Sequence, residues 1–367
     1  MRKPIVVEHS FGTPGSGGPI TALELTLKSG LREKYDFVRM HQERAIGRPS
    51  VVLIRDWARM LREIRPDLVH VRGLGNEGFQ GMLAARLARV PRILVSIHGT
   101  VRDVVDESRS WRRQTLVHGV EPATLRMATH IATVCRSASE RTFLDPYRRK
   151  LVGELINGVP LVPRSAETRR SVRAALGVDP AAVVCVVVSR LSIDKGHLVL
   201  VKALDHIRHE TPRKTLLVVG DGPDRSAIES AYRALPGVDL RMLGRRFDVA
   251  DLLQASGIFL FPTLHENLSI ALLEAMAAGL PIVATRVGGN VEVLERGGGE
   301  LVRPSNAVEL ADAIGRLLSD RDLRSRHGAA ARRVIEDGYT LAHMCDRLDY
   351  IYQSILDGGE PACVLSA

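Results

Sequence analysis

The chain has 367 residues, 45% of them hydrophobic and 25% charged, a soluble globular composition that excludes disorder over most of the length and leaves room for two domains at roughly 100–200 residues each. Aromatic residues make up 4%, too few for a surface that binds nucleic acid by base stacking. The net charge of +9 is carried by one part: residues 1–163 hold 26 Lys and Arg against 16 Asp and Glu, leaving 25 against 26 for the remainder, a bias that fits an anionic partner (membrane surface, phosphorylated acceptor, nucleic acid) as well as it fits plain solubility.

In chain order, short β-branched runs alternate with helical patterns. Strands are expected at 4–9, 35–40, 67–73, 92–98, 130–135 and 151–156, with helices near 20–33, 51–65, 77–89, 114–128 and 136–144. A second series follows, with strands at 182–188, 215–219, 238–243, 257–261, 281–284 and 300–302 and helices at 196–209, 223–234, 248–255, 269–278 and 306–318. Apolar strands alternating with helices imply parallel sheets covered on both faces. Two such series imply an α/β chain of two Rossmann-like domains whose sheets face across a cleft, residues 1–160 and 161–339. A last helical stretch within 340–367 crosses back to the first domain. The break at 157–171 carries two prolines and a charge run, without an apolar period.

The four cysteines stand apart at Cys135, Cys185, Cys345 and Cys363. Their spacing gives neither a disulfide framework nor a zinc site. The first apolar run is too short for a signal peptide, and AAVVCVVV at 181–188 is a strand rather than a span. The expected location is the cytoplasm, with peripheral contact at the inner face of the membrane as an option.

Three stretches carry chemistry. GTPGSGGP at 12–19 follows the first strand and opens a helix; its glycines, Gly17 and Gly18 among them, let backbone approach a ligand, and a helix N-terminus attracts anions. It is not a G-x-G-x-x-G dinucleotide fingerprint. SRLSIDKGH at 189–197 sets Arg190 and Lys195 in the loop after the first strand of the second domain, where two cations can neutralise a diphosphate. HENLSIALLEAMAAG at 265–279 places Glu266, Asn267, Leu268 and Ser269 ahead of a helix that carries Glu274. Ser269 suits an N-cap, and the backbone N–H groups around it can hold phosphate oxygens. Glu274 lies about 1.5 turns into that helix at ~3.6 residues per turn, within reach of ribose hydroxyls.

Taken together, SRLSIDKGH, GDGP at 220–223 and HENLSIALLEAMAAGLPIVATRVGG at 265–289 resemble the retaining, GT-B-fold glycosyltransferases of family 4. The resemblance covers nearly the whole chain in layout and is strongest over 182–303. It implies a bacterial-type, hexosyltransferase-like enzyme that takes a sugar from a nucleotide diphosphate donor with retention and without a metal, and no cofactor beyond that co-substrate. It implies that Glu266 holds the donor sugar and Glu274 the ribose, while Arg190 and Lys195 meet the diphosphate. It further implies that backbone N–H groups of Asn267, Leu268 and Ser269 hold phosphate or sugar, that Gly17 and Gly18 lie beneath the donor, and that His98 stands beside the reacting sugar. Many members read Glu-Gly-Phe-Gly where this chain reads Glu266-Asn267-Leu268-Ser269, which leaves the sugar preference open. Asp320-Arg321-Asp322 is a formal D-x-D, and its place after a helical run reads as a cap for the next helix.

For the acceptor, DVVDESRSWRRQ at 103–114 offers Asp103, Asp106 and Glu107 to an amino-sugar or aminocyclitol, and Arg109, Arg112 and Arg113 to a phosphate. The helix at 51–66 carries Arg55, Arg59, Arg62 and Arg65 in one stripe, with Ile54, Trp57, Leu61 and Ile64 largely opposite. That pattern suits a crossover helix on a sheet and also an anionic membrane surface. Three functions remain open: synthesis of a cell-surface polysaccharide or glycolipid, glycosylation of a small aminocyclitol natural product, and a nucleotide-sugar epimerase or non-catalytic binding module. Nucleic acid is not an expected partner.

Overall fold

The computed structural model describes residues 2–13, 17–43, 47–103, 110–207 and 214–358. The chain divides into two compact units: one runs to Asn157 and resumes at Leu341, the other spans Gly158–Thr340.

The first unit is built on six strands: β1 (Ile5–Phe11), β2 (Asp36–Gln42), β3 (Leu68–Arg72), β4 (Ile93–Ile97), β5 (His130–Thr133) and β6 (Leu151–Glu154). They pair in parallel in the order β2-β1-β3-β4-β5-β6. Alternation along each strand gives the sheet two apolar faces. Val7, Val69, Val71 and Val95 meet Ile54, Trp57 and Leu61 of the Val51–Ile64 helix, so the arginine-striped helix buries its apolar side on the sheet. Val6, Leu68, Leu94 and Ala132 meet Leu348, Ile351, Tyr352 and Ile355 of the Leu341–Leu356 helix. Each large apolar side chain so buried contributes about 1.5–3 kcal/mol, enough to fasten the C-terminal helix to this unit.

The second unit repeats the plan with β7 (Val183–Val188), β8 (Lys214–Val219), β9 (Asp239–Gly244), β10 (Ile258–Phe261), β11 (Ile282–Thr285) and β12 (Gly299–Val302), in the order β12-β11-β10-β7-β8-β9. The chain winds outward from β7 through β8 to β9, then returns to β7's other edge with β10. The order therefore reverses between β7 and β10, the position at which open α/β sheets bind ligands. In the first unit the same reversal falls between β1 and β3.

Two helices, Ala166–Ala175 and Gly288–Leu294, were not anticipated as elements. Ala166–Ala175 forms within the stretch read as a break; Ser165 caps it by accepting the Thr168 N–H at 3.0 Å. Its polar sequence hides it, because Arg169 and Arg173 do the packing, donating to carbonyls of Gln254, Ser256, Ala255 and Ala182. Gly288–Leu294 starts on a glycine pair that reads as a turn. Arg321–Gly338 is the helix that the D-x-D was expected to cap: Asp320 Oδ1 accepts the Leu323 N–H at 2.8 Å. The helix expected at 114–128 is instead three joined pieces, Trp111–Thr115, Leu116–Val120 and Glu121–Met127, the middle one a single π turn.

Candidate functional site

In the second unit the loops after β7 and β10 are knitted together. Gly196 ends a 3-10 turn at φ 71°, and a Cβ there would stand 1.9 Å from the Pro262 carbonyl oxygen. Only glycine permits that approach. The Leu264 N–H then donates to the Asp194 carbonyl at 2.8 Å, and Thr263 Oγ1 donates to the His265 carbonyl at 2.7 Å. The result brings Lys195 Nζ to 3.0 Å from Glu266 Oε2. Glu266 Oε1 accepts the Asn267 N–H at 3.2 Å. Beneath this turn lies the start of the Gly288–Leu294 helix. A Cβ on Gly288 (φ 44°) would meet the Glu266 carbonyl at 1.8 Å, and the Gly289 N–H donates to the Asn267 carbonyl at 2.6 Å.

Arg190 lies nearby but does not touch Glu266. Its Nε donates to Ser192 Oγ at 3.2 Å and its Nη2 is 3.7 Å from Asp194 Oδ2, with 61% of the side chain exposed. Asp194 Oδ2 is also 3.9 Å from Lys195 Nζ, so both cations are held in place by acids. His197, behind them, is buried between Ser189 Oγ at 3.0 Å and the Tyr232 hydroxyl at 3.1 Å; burial holds its imidazole down to about 4, so it adds no third charge. Asn267 and Leu268 are buried. Ser269 Oγ accepts the Leu272 N–H at 3.3 Å and caps the Ile270–Ala277 helix, whose dipole favours an anion at that end. Glu274 is half-buried in this helix, and its carboxylate makes no hydrogen bond or ion pair among the described residues. Burial pushes its carboxyl up to about 7.

In the first unit, Gly17 caps the Gly18–Lys28 helix through its backbone; its carbonyl accepts from the Thr21 N–H and hydroxyl, both at 3.2 Å. Among the described residues the nearest atom to a Cβ added at Gly17 would be Pro19 Cδ, in ordinary contact at 3.9 Å. His98 follows β4, half-buried, with Nε2 at 3.1 Å from Ser96 Oγ.

The acceptor residues fare differently. Asp103 is turned inward: its Oδ2 accepts the Thr100 N–H at 2.7 Å and its Oδ1 pairs with Arg141. The expectation that it grips an acceptor gives way to a loop clamp, because a buried carboxylate already paired with a guanidinium has little left to offer a ligand. Arg112 and Trp111 are exposed, the guanidinium stacking over the ring at 5.7 Å, and Arg113 is half-buried. Asp106, Glu107 and Arg109 lie outside the described residues.

Comparison with known proteins agrees with this layout. The family described as "Glycosyl transferases group 1" matches residues 182–320, and "Glycosyl transferase 4-like domain" matches residues 26–151. The chain belongs to these family 4 glycosyltransferases of the GT-B fold. It is similar to the Escherichia coli "UDP-Gal:alpha-D-GlcNAc-diphosphoundecaprenol alpha-1,3-galactosyltransferase", with 24% identity over 80% of this chain and 77% of that one. It is also similar to the "Alpha-D-kanosaminyltransferase" of Streptomyces kanamyceticus, with 27% identity over 83% of this chain and 81% of that one. Among solved structures, Anabaena HepE in complex with UDP-glucose superposes with a TM-score of 0.77 at 20% identity, covering 95% of this chain and 99% of that one.

Sequence reasoning missed the parts that support the site. Gly288, Gly289 and Thr263 hold the Glu266 turn from below, and only the glycine pair after an apolar strand hinted at it. Glu8, His70, Ser96 and Tyr352 join in one buried hydrogen-bond chain that reaches His98. Polar residues inside strands that otherwise read as core are the signal that could have found them.

Proposed function

We propose that the protein is a retaining, metal-independent glycosyltransferase that moves a sugar from a nucleotide diphosphate sugar to an acceptor hydroxyl in the synthesis of a cell-surface polysaccharide or glycolipid. One observation carries the reading: Lys195 and Glu266 meet at 3.0 Å from two separate loops, at the carboxyl ends of β7 and β10 where the strand order reverses. Beside them stands the Ser269-capped helix start that suits a phosphate.

In this reading Arg190, Lys195 and the backbone N–H groups of Asn267, Leu268 and Ser269 take the diphosphate, Glu266 the donor sugar, and Glu274 the ribose. Gly17, Gly18 and His98 serve the sugar from the first unit. The acceptor hydroxyl oxygen bonds to the anomeric carbon on the face the leaving group departs. The bond from that carbon to the diphosphate oxygen breaks, and the acceptor proton passes to a departing phosphate oxygen. Fixed positive charge at the diphosphate stabilises this separation in place, which is why no divalent ion is required of the site. The products are the α- or β-glycoside of the donor's own configuration and a nucleoside diphosphate.

The diphosphoundecaprenol acceptor in the name of the E. coli relative and the basic excess of residues 1–163 favour a lipid-linked or glycan acceptor, with the enzyme cytoplasmic and peripheral at the inner face. Among the described residues no helix is long and apolar enough to cross a membrane. The kanosaminyltransferase relative favours a second reading, a small aminocyclitol acceptor met by Arg112 and Arg113 or their neighbours. The test is a panel of nucleotide sugars, uridine diphosphate sugars first, scored by thermal shift and then by slow donor hydrolysis. A donor that stabilises the wild type but not Lys195→Ala supports the assignment. Equal stabilisation of both proteins overturns it.

A further inference from the structure

The polar residues on one face of the first unit's sheet form an ordered chain. Strand register sets Glu8 beside His70 and Arg72 beside Ser96. Alternation keeps Glu8, His70, Arg72 and Ser96 on the face that the Leu341–Leu356 helix covers, and His98 stands two residues past Ser96. Glu8, His70, Ser96 and Tyr352 are fully buried. The Tyr352 hydroxyl donates to Glu8 Oε1, and it lies 2.7 Å from His70 Nδ1. His70 Nε2 lies 2.9 Å from Ser96 Oγ, which lies 3.1 Å from His98 Nε2.

Counting protons gives the chain a direction. Burial alone would raise the Glu8 carboxyl; Arg72, at 2.9 Å, with His70 and Tyr352, overcomes this and brings it down to about 2. Glu8 is therefore an acceptor only. The single Tyr352 proton goes to it, so the His70 proton sits on Nδ1, facing the Tyr352 oxygen at 2.7 Å and Glu8 Oε2 at 3.4 Å. Burial holds His70 neutral, which leaves its Nε2 bare. The Ser96 proton fills that position, and the Ser96 lone pair then accepts from His98. Burial, with Arg72 next, also holds the His98 ring well below its ordinary value.

We propose that this buried chain fixes the tautomer of His98, with the proton on Nε2 toward Ser96 and Nδ1 as the ring's acceptor, so that Tyr352 and Ser96 are positioning residues for transfer. A ring's reactive nitrogen is commonly set by the bond its other nitrogen makes, and both His70 ring nitrogens and the Tyr352 and Ser96 hydroxyls have partners here. The functional half of the inference rests on the proposed role of His98 at the reacting sugar; the tautomer does not.

The experiment is imidazole nitrogen spectroscopy on the full chain labelled with [15N]histidine, with the His98 signals assigned by their loss in His98→Gln. The wild type is expected to show a pyrrole-like Nε2 and a pyridine-like Nδ1. Ser96→Ala and Tyr352→Phe are expected to give mixed tautomers and about tenfold lower kcat at a donor KM within twofold of wild type. A protonated Nδ1 in the wild type, or a tautomer untouched by Ser96→Ala, overturns the proposal, and the wild-type spectrum decides even where a variant fails to fold. The predicted spectra with full turnover in His98→Gln would leave the tautomer standing and remove only the role of His98 in transfer.

Discussion

Lys195 and Glu266 are 71 residues apart in sequence and form an ion pair at 3.0 Å, with 17% and 20% of their side chains exposed. Glu266 is the nearest counter-ion of Lys195, with Asp194 Oδ2 next at 3.9 Å. On the proposed reading a diphosphate draws Lys195 toward itself and leaves Glu266 to the sugar hydroxyls. Binding and chemistry are then coupled through one contact, and mutants of the pair should not behave independently.

Lys195→Ala is expected to lower kcat/KM about 100-fold, the scale for losing one fixed charge at a developing anion. Glu266→Gln is expected to lower kcat by a similar factor with little change in donor KM. The double variant should lose clearly less than the product of the two, because each single change already dismantles the pair. Steady-state kinetics at saturating acceptor checks this, and strictly multiplicative losses would contradict it.

Glu274 predicts a pH signature. Its folded carboxyl stands near 7, raised by burial from an ordinary 4.5. The folded state thus holds the proton more tightly than the unfolded one, and stability falls as pH rises from about 4.5 to about 7, then levels. Glu274→Gln removes the penalty, on the order of 3 kcal/mol, and should raise Tm at pH 8 but not at pH 4.5. Nucleotide affinity should move the opposite way. Ribose hydroxyls donate to the ionised carboxylate, so wild-type affinity rises with pH through about 7, while the glutamine variant binds weakly and without that slope. Calorimetric titration at pH 6 and pH 8 reads the difference directly.

All twelve strands and the loops that carry Arg190, Lys195 and Glu266 were legible in the sequence, because buried parallel strands leave unbroken β-branched runs and turn residues mark their ends. The distances between those loops were not. Nothing in SRLSIDKGH announces that Gly196 touches Pro262, since that contact joins residues far apart in the chain. Asp103 shows the opposite failure: composition around it reads as exposed, yet the Thr100 N–H and Arg141, 38 residues on, hold it inward. The Ala166–Ala175 helix went unread because its arginines pack through hydrogen bonds, which leave no apolar period to detect.

Gly288→Ala tests whether the glycine pair supports the Glu266 turn. The added Cβ would overlap the Glu266 carbonyl at 1.8 Å, and the φ of 44° strains any other residue. The turn must lift, carrying Glu266 off Lys195. Donor turnover is expected to drop at least tenfold with Tm lowered by only a few degrees. Gly177→Ala is the control for φ, at 62° with nothing within 4 Å of its Cβ, and should cost stability alone. Activity surviving in Gly288→Ala would show that the turn tolerates displacement.

The Val51–Ile64 helix decides between the two acceptor readings. Its apolar side is committed to the sheet, yet Val51 and Val52 at its start are 72% and 69% exposed. Arg55, Arg59 and Arg62 lie on the same outward side, with Asp56 and Glu63 among them. Two exposed valines beside arginines can settle at a lipid headgroup boundary, where each basic residue adds about 1 kcal/mol near an anionic surface. A membrane-linked acceptor therefore predicts sedimentation with phosphatidylglycerol vesicles at low salt. Release is expected by about 0.5 M salt, as charges separated from the surface are screened, and Val51→Ser with Val52→Ser should halve the bound fraction or more. Vesicles of neutral lipid should leave the protein in the supernatant. A protein that stays in solution with anionic vesicles at low salt would instead favour a small, freely diffusing acceptor, and would direct the search to aminocyclitols.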